Sequence, residues 1–123
     1  MVNLFFIALG GAAGSLSRYG LGLAIQHWLP SQFPFATMVV NLLGCFLFGV
    51  VAGLVERGNL VSPAAEMALL VGFLGAFTTF STFAFHNTLM LQDGKLMWFA
   101  ANIMVQNVAG IAVLFAGLAL TRP

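Results

Sequence analysis

Charge is what this sequence has least of: four Lys or Arg and three Asp or Glu in 123 residues, against 61% hydrophobic residues and a mean hydropathy of +1.04. A soluble domain carries ionisable side chains at about a quarter of its positions, so this composition cannot build a water-facing surface. The chain reads as an integral membrane protein. A net charge of +1 supplies neither the basic patch that nucleic acid requires nor an acidic tail, which argues against partners of either kind. With a single cysteine, Cys45, no intrachain disulfide can form. Its apolar surroundings favour a packed thiol over a reactive one, because a thiolate needs positive charge nearby. His27 and His86 stand far apart and no carboxylate pair is present. That leaves no metal-ligand cluster and no acid, base and nucleophile set of the kind an enzyme uses.

What is present falls into four apolar runs, at about 4–25, 35–55, 64–92 and 96–120. Each can cross a bilayer, for which about 20 residues suffice, and together they predict one four-helix membrane domain over 1–123. Met1-Val2-Asn3 places no basic residue ahead of the first run, which argues against a cleaved secretory signal. Between runs one and two, Pro30 and Pro34 break the chain, Trp28 suits the headgroup level and His27 reads as a solvated loop histidine. Glu56-Arg57-Gly58-Asn59 and Ser62-Pro63 predict a polar loop that ends in an N-cap serine, with proline at the first helical position and Glu66 in the first turn. Asp93-Gly94-Lys95 predicts a tight turn.

Small and polar residues interrupt the apolar runs at chosen places. In the first, Gly10 with Gly14 and Ala13 with Ser17 are small pairs four apart that let another helix approach closely. Arg18 must either snorkel to an interface or face an aqueous cavity, where its field would gather anions. Asn41 in the second run either bonds across to a neighbouring helix or acts as a functional donor. In the fourth, Asn102 and Gln106 lie four apart, Gly110 continues the row and Asn107 stands beside it, giving one polar, close-packing side. With an even number of spans both termini share a side. Arg57 and Arg122 then oppose Lys95 and Arg18, so the positive-inside rule decides nothing. This balance predicts insertion in both orientations and an antiparallel two-fold dimer.

The densest polar cluster is Gly72-Phe73-Leu74-Gly75-Ala76-Phe77-Thr78-Thr79-Phe80-Ser81-Thr82-Phe83. Two glycines followed by two threonines weaken helix propensity. One reading is an interrupted helix, whose carbonyls and N–H groups become ligands for a cation and an anion; the other is a continuous helix packed closely at its glycines. Phe80 and Phe83 share a face, and a phenyl edge can meet an anion without holding it tightly. Thr82 and His86, four apart, extend a row of donors of the kind a strongly hydrated anion needs on leaving water.

This cluster, together with Gly10-Gly11-Ala12-Ala13-Gly14-Ser15-Leu16-Ser17-Arg18 and Thr37-Met38-Val39-Val40-Asn41-Leu42-Leu43-Gly44, resembles the Fluc (CrcB) family of fluoride channels along essentially the whole chain. The resemblance implies an all-α integral membrane protein of the bacterial inner membrane. It would have four transmembrane helices, the third broken near mid-membrane, and would form an antiparallel dual-topology homodimer with two pores. The implied activity is passive, fluoride-selective export that lowers the toxicity of cytoplasmic fluoride. By position, Phe80 and Phe83 would be pore phenylalanines, Asn41 a polar side chain beside the path, Ser81 and Thr82 part of a polar track, and Arg18 a vestibule residue. Gly75 and Thr78 would offer backbone carbonyls to a structural sodium ion at the dimer centre. His86, Ala84 and Gln106 depart from the family pattern, standing where Glu, Ser and a smaller polar residue are common; protonation of His86 is then expected to change flux. The competing readings are a small proton-coupled multidrug exporter, which needs a membrane-embedded acid that helix one lacks, and a non-transporting scaffold subunit, which leaves the Thr/Ser/Phe string unexplained.

Overall fold

The computed structural model describes residues 2–58 and 60–122; Met1, Pro123 and Asn59 of the polar loop lie outside the described residues. All regular structure among the described residues is helical. The helices are α1 (Val2–Trp28), α2 (Phe35–Glu56), α3 (residues 63–77), α4 (Phe80–Gln92) and α5 (Leu96–Thr121). Four stretches among the described residues are long and apolar enough to cross a membrane: Asn3–Trp28, Phe35–Glu56, Pro63–Gln92 and Leu96–Thr121.

Local sequence sets the ends of these helices. The Ser62 side chain accepts from the Ala65 N–H at 3.3 Å, and Pro63 follows at the first helical position, where its missing N–H costs nothing. Between α4 and α5, Gly94 takes a φ of 70°, a left-handed conformation open to glycine at little cost, and Lys95 N–H closes the turn on the Met90 carbonyl at 2.8 Å. At the other end of the bundle, Arg122 forks onto the Glu56 carboxylate at 2.8 and 3.1 Å, and Arg57 donates to the Arg122 carbonyl at 2.9 Å. These contacts tie the last turn of α2 to that of α5.

Two seams hold the helices by shape. In the first, α1 lies on α3 at Gly10, Gly14 and Gly72: a side chain at Gly10 would strike the Ala68 carbonyl, one at Gly14 the Phe73 carbonyl, and one at Gly72 would sit 2.7 Å from the Ile7 carbonyl. The Gly10 and Gly14 pair is therefore a contact made within the chain, whereas Ala13 and Ser17 are exposed. In the second seam, α2 meets α5 with Gly49 on the Leu114 carbonyl, Gly117 on the Phe46 carbonyl and Gly53 on the Thr121 hydroxyl. That hydroxyl lies 3.1 Å from both the Val50 and Gly117 carbonyls and can donate to either. Close backbone approach of this kind is how helices associate where water supplies no hydrophobic drive.

Two helices also carry widened turns, with hydrogen bonds spanning five residues over Met67–Leu74 in α3 and Val105–Ala109 in α5. Between α3 and α4 the helical dihedrals lapse at two residues, Thr78 (φ −80°, ψ 157°) and Thr79 (φ −149°, ψ 109°). Gly44 of α2 faces this point, where a side chain would collide with the Thr78 methyl group.

Candidate functional site

The lapse at Thr78 and Thr79 releases backbone groups that a helix would have paired, and an unpaired peptide group away from water costs about 1–3 kcal/mol. Asn41 of α2 meets them. Its Oδ1 accepts from the Thr79 N–H at 2.8 Å and its Nδ2 donates to the Thr79 carbonyl at 3.2 Å, so the side-chain amide pairs with this residue as a neighbouring strand would. The second Nδ2 proton goes to Gln106 Oε1 of α5 at 2.8 Å. Of the two roles open to Asn41, bonding across to neighbours is the one seen, and both its protons are engaged.

From Gln106 the polar contacts continue inward. Gln106 Nε2 donates to Asn102 Oδ1 at 2.8 Å, Asn102 Nδ2 to Asn87 Oδ1 at 3.1 Å, and Asn87 Nδ2 to the Phe83 carbonyl at 3.0 Å. Asn102 is 0% exposed, and no buried side-chain nitrogen or oxygen among the described residues lacks a partner. The polar face predicted for the fourth run from Asn102 and Gln106 is thus turned inward, while Asn107 is exposed and donates to its own Ile103 carbonyl at 2.8 Å. Sequence reasoning passed over Asn87. The signal was available: it is four residues after Phe83, on the same helical face, in a run without charge.

On the other side of Thr79 lies a cavity of about 390 Å³ between α1, α2 and α4, whose walls include Ser15, Arg18, Thr37, Thr79, Thr82 and His86. Arg18 is therefore at a cavity rather than snorkelled to a helix end, and its Nη1 donates to the Thr78 carbonyl at 3.3 Å. Thr79 Oγ1 accepts from the Thr82 N–H at 3.2 Å, capping α4, and lies 2.9 Å from the Thr82 hydroxyl and 3.3 Å from that of Ser81. Across the cavity, His86 Nδ1 is 3.3 Å from the Thr37 hydroxyl. Hydroxyl donors and a guanidinium around one cavity form a surface that attracts an anion and can replace part of its hydration.

The two phenylalanines stand apart from this cavity. The rings of Phe80 and Phe83 are 5.6 Å apart and tilted by 44°, and Phe80 is 78% exposed. Ser81 and Gly75 are exposed as well. One chain thus brings Arg18, Thr79, Thr82 and His86 together at the cavity and sets Asn41, half-buried, behind them. It leaves Phe80 and Ser81 on an outer face.

Residues 5–118 match the family model described as CrcB-like protein, Camphor Resistance (CrcB). The chain is 50% identical over 120 residues to the fluoride-specific ion channel FluC of Solidesulfovibrio magneticus, an alignment covering 98% of this chain and 96% of that one. It is 43% identical to the protein of the same name from Nitrosococcus oceani, with the same coverage. The identity is also 43% to that of Maridesulfovibrio salexigens, over 99% of this chain and 97% of the relative.

Proposed function

The chain belongs to the CrcB-like family, and from that premise we propose that it is a fluoride-specific ion channel, a multi-pass protein of the bacterial inner membrane. The family consists of channels rather than enzymes, and flow is passive, down the gradient of fluoride out of the cytoplasm. The observation that carries the reading beyond kinship is the placement of hydroxyls and Arg18 around Thr79, where the helix lapses. An acid-coupled exporter fits poorly, because Glu56, Glu66 and Asp93 all sit at or beside the ends of spans.

In this reading Arg18 concentrates anions in the cavity, and Thr82 and Ser81 offer hydroxyl protons as fluoride sheds water. The edges of Phe80 and Phe83 then pass it on. Asn41 lies beside the path and shapes it by holding Thr79. The lapse at Thr78 and Thr79 falls near mid-membrane. Phe80, Ser81 and Gly75 are exposed, and a second copy in the antiparallel orientation would cover them and complete two pores; an exposed hydroxyl at this depth of an apolar span supports that assembly.

A structural sodium ion fits the end of α3. Thr78 N–H donates to the Leu74 carbonyl and Thr79 N–H to Asn41, so the donor a continuous helix would give the Gly75 carbonyl is diverted. The Thr78 carbonyl keeps one lone pair beside its bond from Arg18, and both oxygens lie at the negative end of the helix dipole. Gly75 and Thr78 from two copies would hold the ion at the dimer centre, where it would supply a fixed positive charge that clamps the two chains.

The test is fluoride efflux from liposomes containing the purified protein, beside chloride, with Phe80→Ile and Phe83→Ile. Fast fluoride loss, little chloride loss and a drop of at least tenfold in both variants are expected. A folded protein that releases no fluoride would overturn the reading.

A further inference from the structure

The interior amides form a chain with one direction. At one end stands the Thr79 N–H, which can only donate; at the other stands the Phe83 carbonyl, which can only accept. Between them Asn41, Gln106, Asn102 and Asn87 each accept with oxygen and donate with nitrogen, at 2.8, 2.8, 3.1 and 3.0 Å along the donating side. Inverting any one amide would set two N–H groups or two oxygens face to face at one of its contacts. The orientation of all four is therefore fixed by the two backbone ends, and aligned amides in a low-dielectric interior polarise one another in the same sense. Both ends belong to one short segment, residues 79–83, so the chain closes a ring from the start of α4 through α2 and α5 and back to α4.

We propose that Gln106, Asn102 and Asn87 are positioning residues for ion passage. They hold the Asn41 amide in the single orientation that fits Thr79, and through it they set the backbone from which Phe80, Ser81 and Thr82 project. None of the three lines the cavity, and Asn102 is enclosed between α4 and α5, so their effect on the site passes through Asn41 at one end and the Phe83 carbonyl at the other. Inverting Asn41 would point Nδ2 at the Thr79 N–H and Oδ1 at the Thr79 carbonyl, two mismatches that Thr79 imposes by itself. Gln106, itself oriented by Asn102, adds a third because its Oε1 would then face Oδ1 of Asn41, and its bond to the second Nδ2 proton keeps the amide seated against Thr79.

The functional half of this proposal rests on the channel reading, and its structural half does not. The side-chain amide protons of asparagine-labelled protein are followed by hydrogen exchange in the NMR spectrum, beside fluoride efflux, for the wild type, Asn102→Leu and Gln106→Met. Leucine and methionine approximate the volumes removed but neither donate nor accept. In the wild type the Asn41 amide is expected to exchange slowly. In each variant its exchange should accelerate at least tenfold and fluoride efflux should fall at least tenfold, while helix content stays unchanged. Gln106 is half-buried, so its variant keeps the test open if Asn102→Leu does not fold. Unchanged Asn41 exchange in a folded variant would overturn the proposal, as would undiminished efflux in a variant with accelerated exchange. A wild type with a protected Asn41 and no fluoride efflux would instead reject the channel reading and leave the amide ring standing.

Discussion

The glycine seam between α2 and α5 and the amide ring beside it join the same two helices by opposite means. At Gly49 and Gly117 two backbones touch and nothing in the contact can be exchanged for something larger. At Asn41 and Gln106 the helices meet through side chains, Gln106 is held in turn by Asn102 of its own helix, each contact depends on the next, and shape matters less than the sense of the hydrogen bond. The difference follows from what each region must do. The glycine seam joins two regular helices, whose backbone groups are already paired. The amide ring serves a place where the helix lapses and backbone groups need partners that only side chains can bring. A membrane protein can therefore keep a rigid frame and a polar passage in adjacent layers of one helix pair.

The strongest way to break this contrast is to give the rigid seam bulk. Gly117→Leu puts four carbons where the Phe46 carbonyl stands, and because both sides of the contact are backbone, relaxation must move a helix. Overpacking costs about 1–3 kcal/mol in adaptable cores and more where nothing can yield. The expected result is loss of folded protein by size-exclusion chromatography and thermal melting, with no fluoride flux to measure.

A smaller effect is expected on the polar side, where His86 faces the Thr37 hydroxyl across a cavity that also holds Arg18 and Tyr19. Protonation of this imidazole would add a positive charge and strengthen the pull of Arg18 on anions. Fluoride efflux should rise several-fold as pH falls from 8 to 5.5, and His86→Ala should flatten the profile. A flat wild-type profile would remove His86 from the ion path.

The smallest effect sharpens the comparison within glycine itself. Gly110 lies in the same helix as Gly117, yet a methyl group there would meet only Cys45 Sγ at 3.7 Å and Leu42 at 4.0 Å, which is ordinary contact. Alanine also favours a helix by about 1 kcal/mol over glycine. Gly110→Ala should leave efflux unchanged and the melting temperature equal or slightly higher.

Much of this frame was legible in the sequence. The four apolar runs, the Ser62 cap, the turn at Gly94 and the Gly10 and Gly14 pair are local patterns, and local patterns are what a sequence displays. Partner choice was less legible. Asn41 bonds to residues 38 and 65 positions away, and whether it crosses to a neighbour or stays free is decided by which helix arrives opposite it. Ala13 and Ser17 repeat the spacing of Gly10 and Gly14, yet only the glycines meet α3, and Ala13 and Ser17 are left exposed. Asn87 escaped notice because its spacing from Phe83 marks a face and not a partner; its three-dimensional neighbours, Asn102 and the Phe83 carbonyl, give it a part.

The widened turns of α3 and α5 carry a consequence for how such a chain can change length. A turn whose hydrogen bonds span five residues stores one residue more than the regular helix needs, and each residue of a regular helix advances the facing direction by about 100°. Deleting one residue within Val105–Ala109 would remove that surplus, restore a regular pitch and leave Gly110 and Gly117 facing α2 and Asn102 facing Asn87. Tightening the turn with the residue still in place would instead swing Gly110 and Gly117 by about 100° around the axis and away from α2. These two places can thus lose a residue without turning one half of the helix against the other.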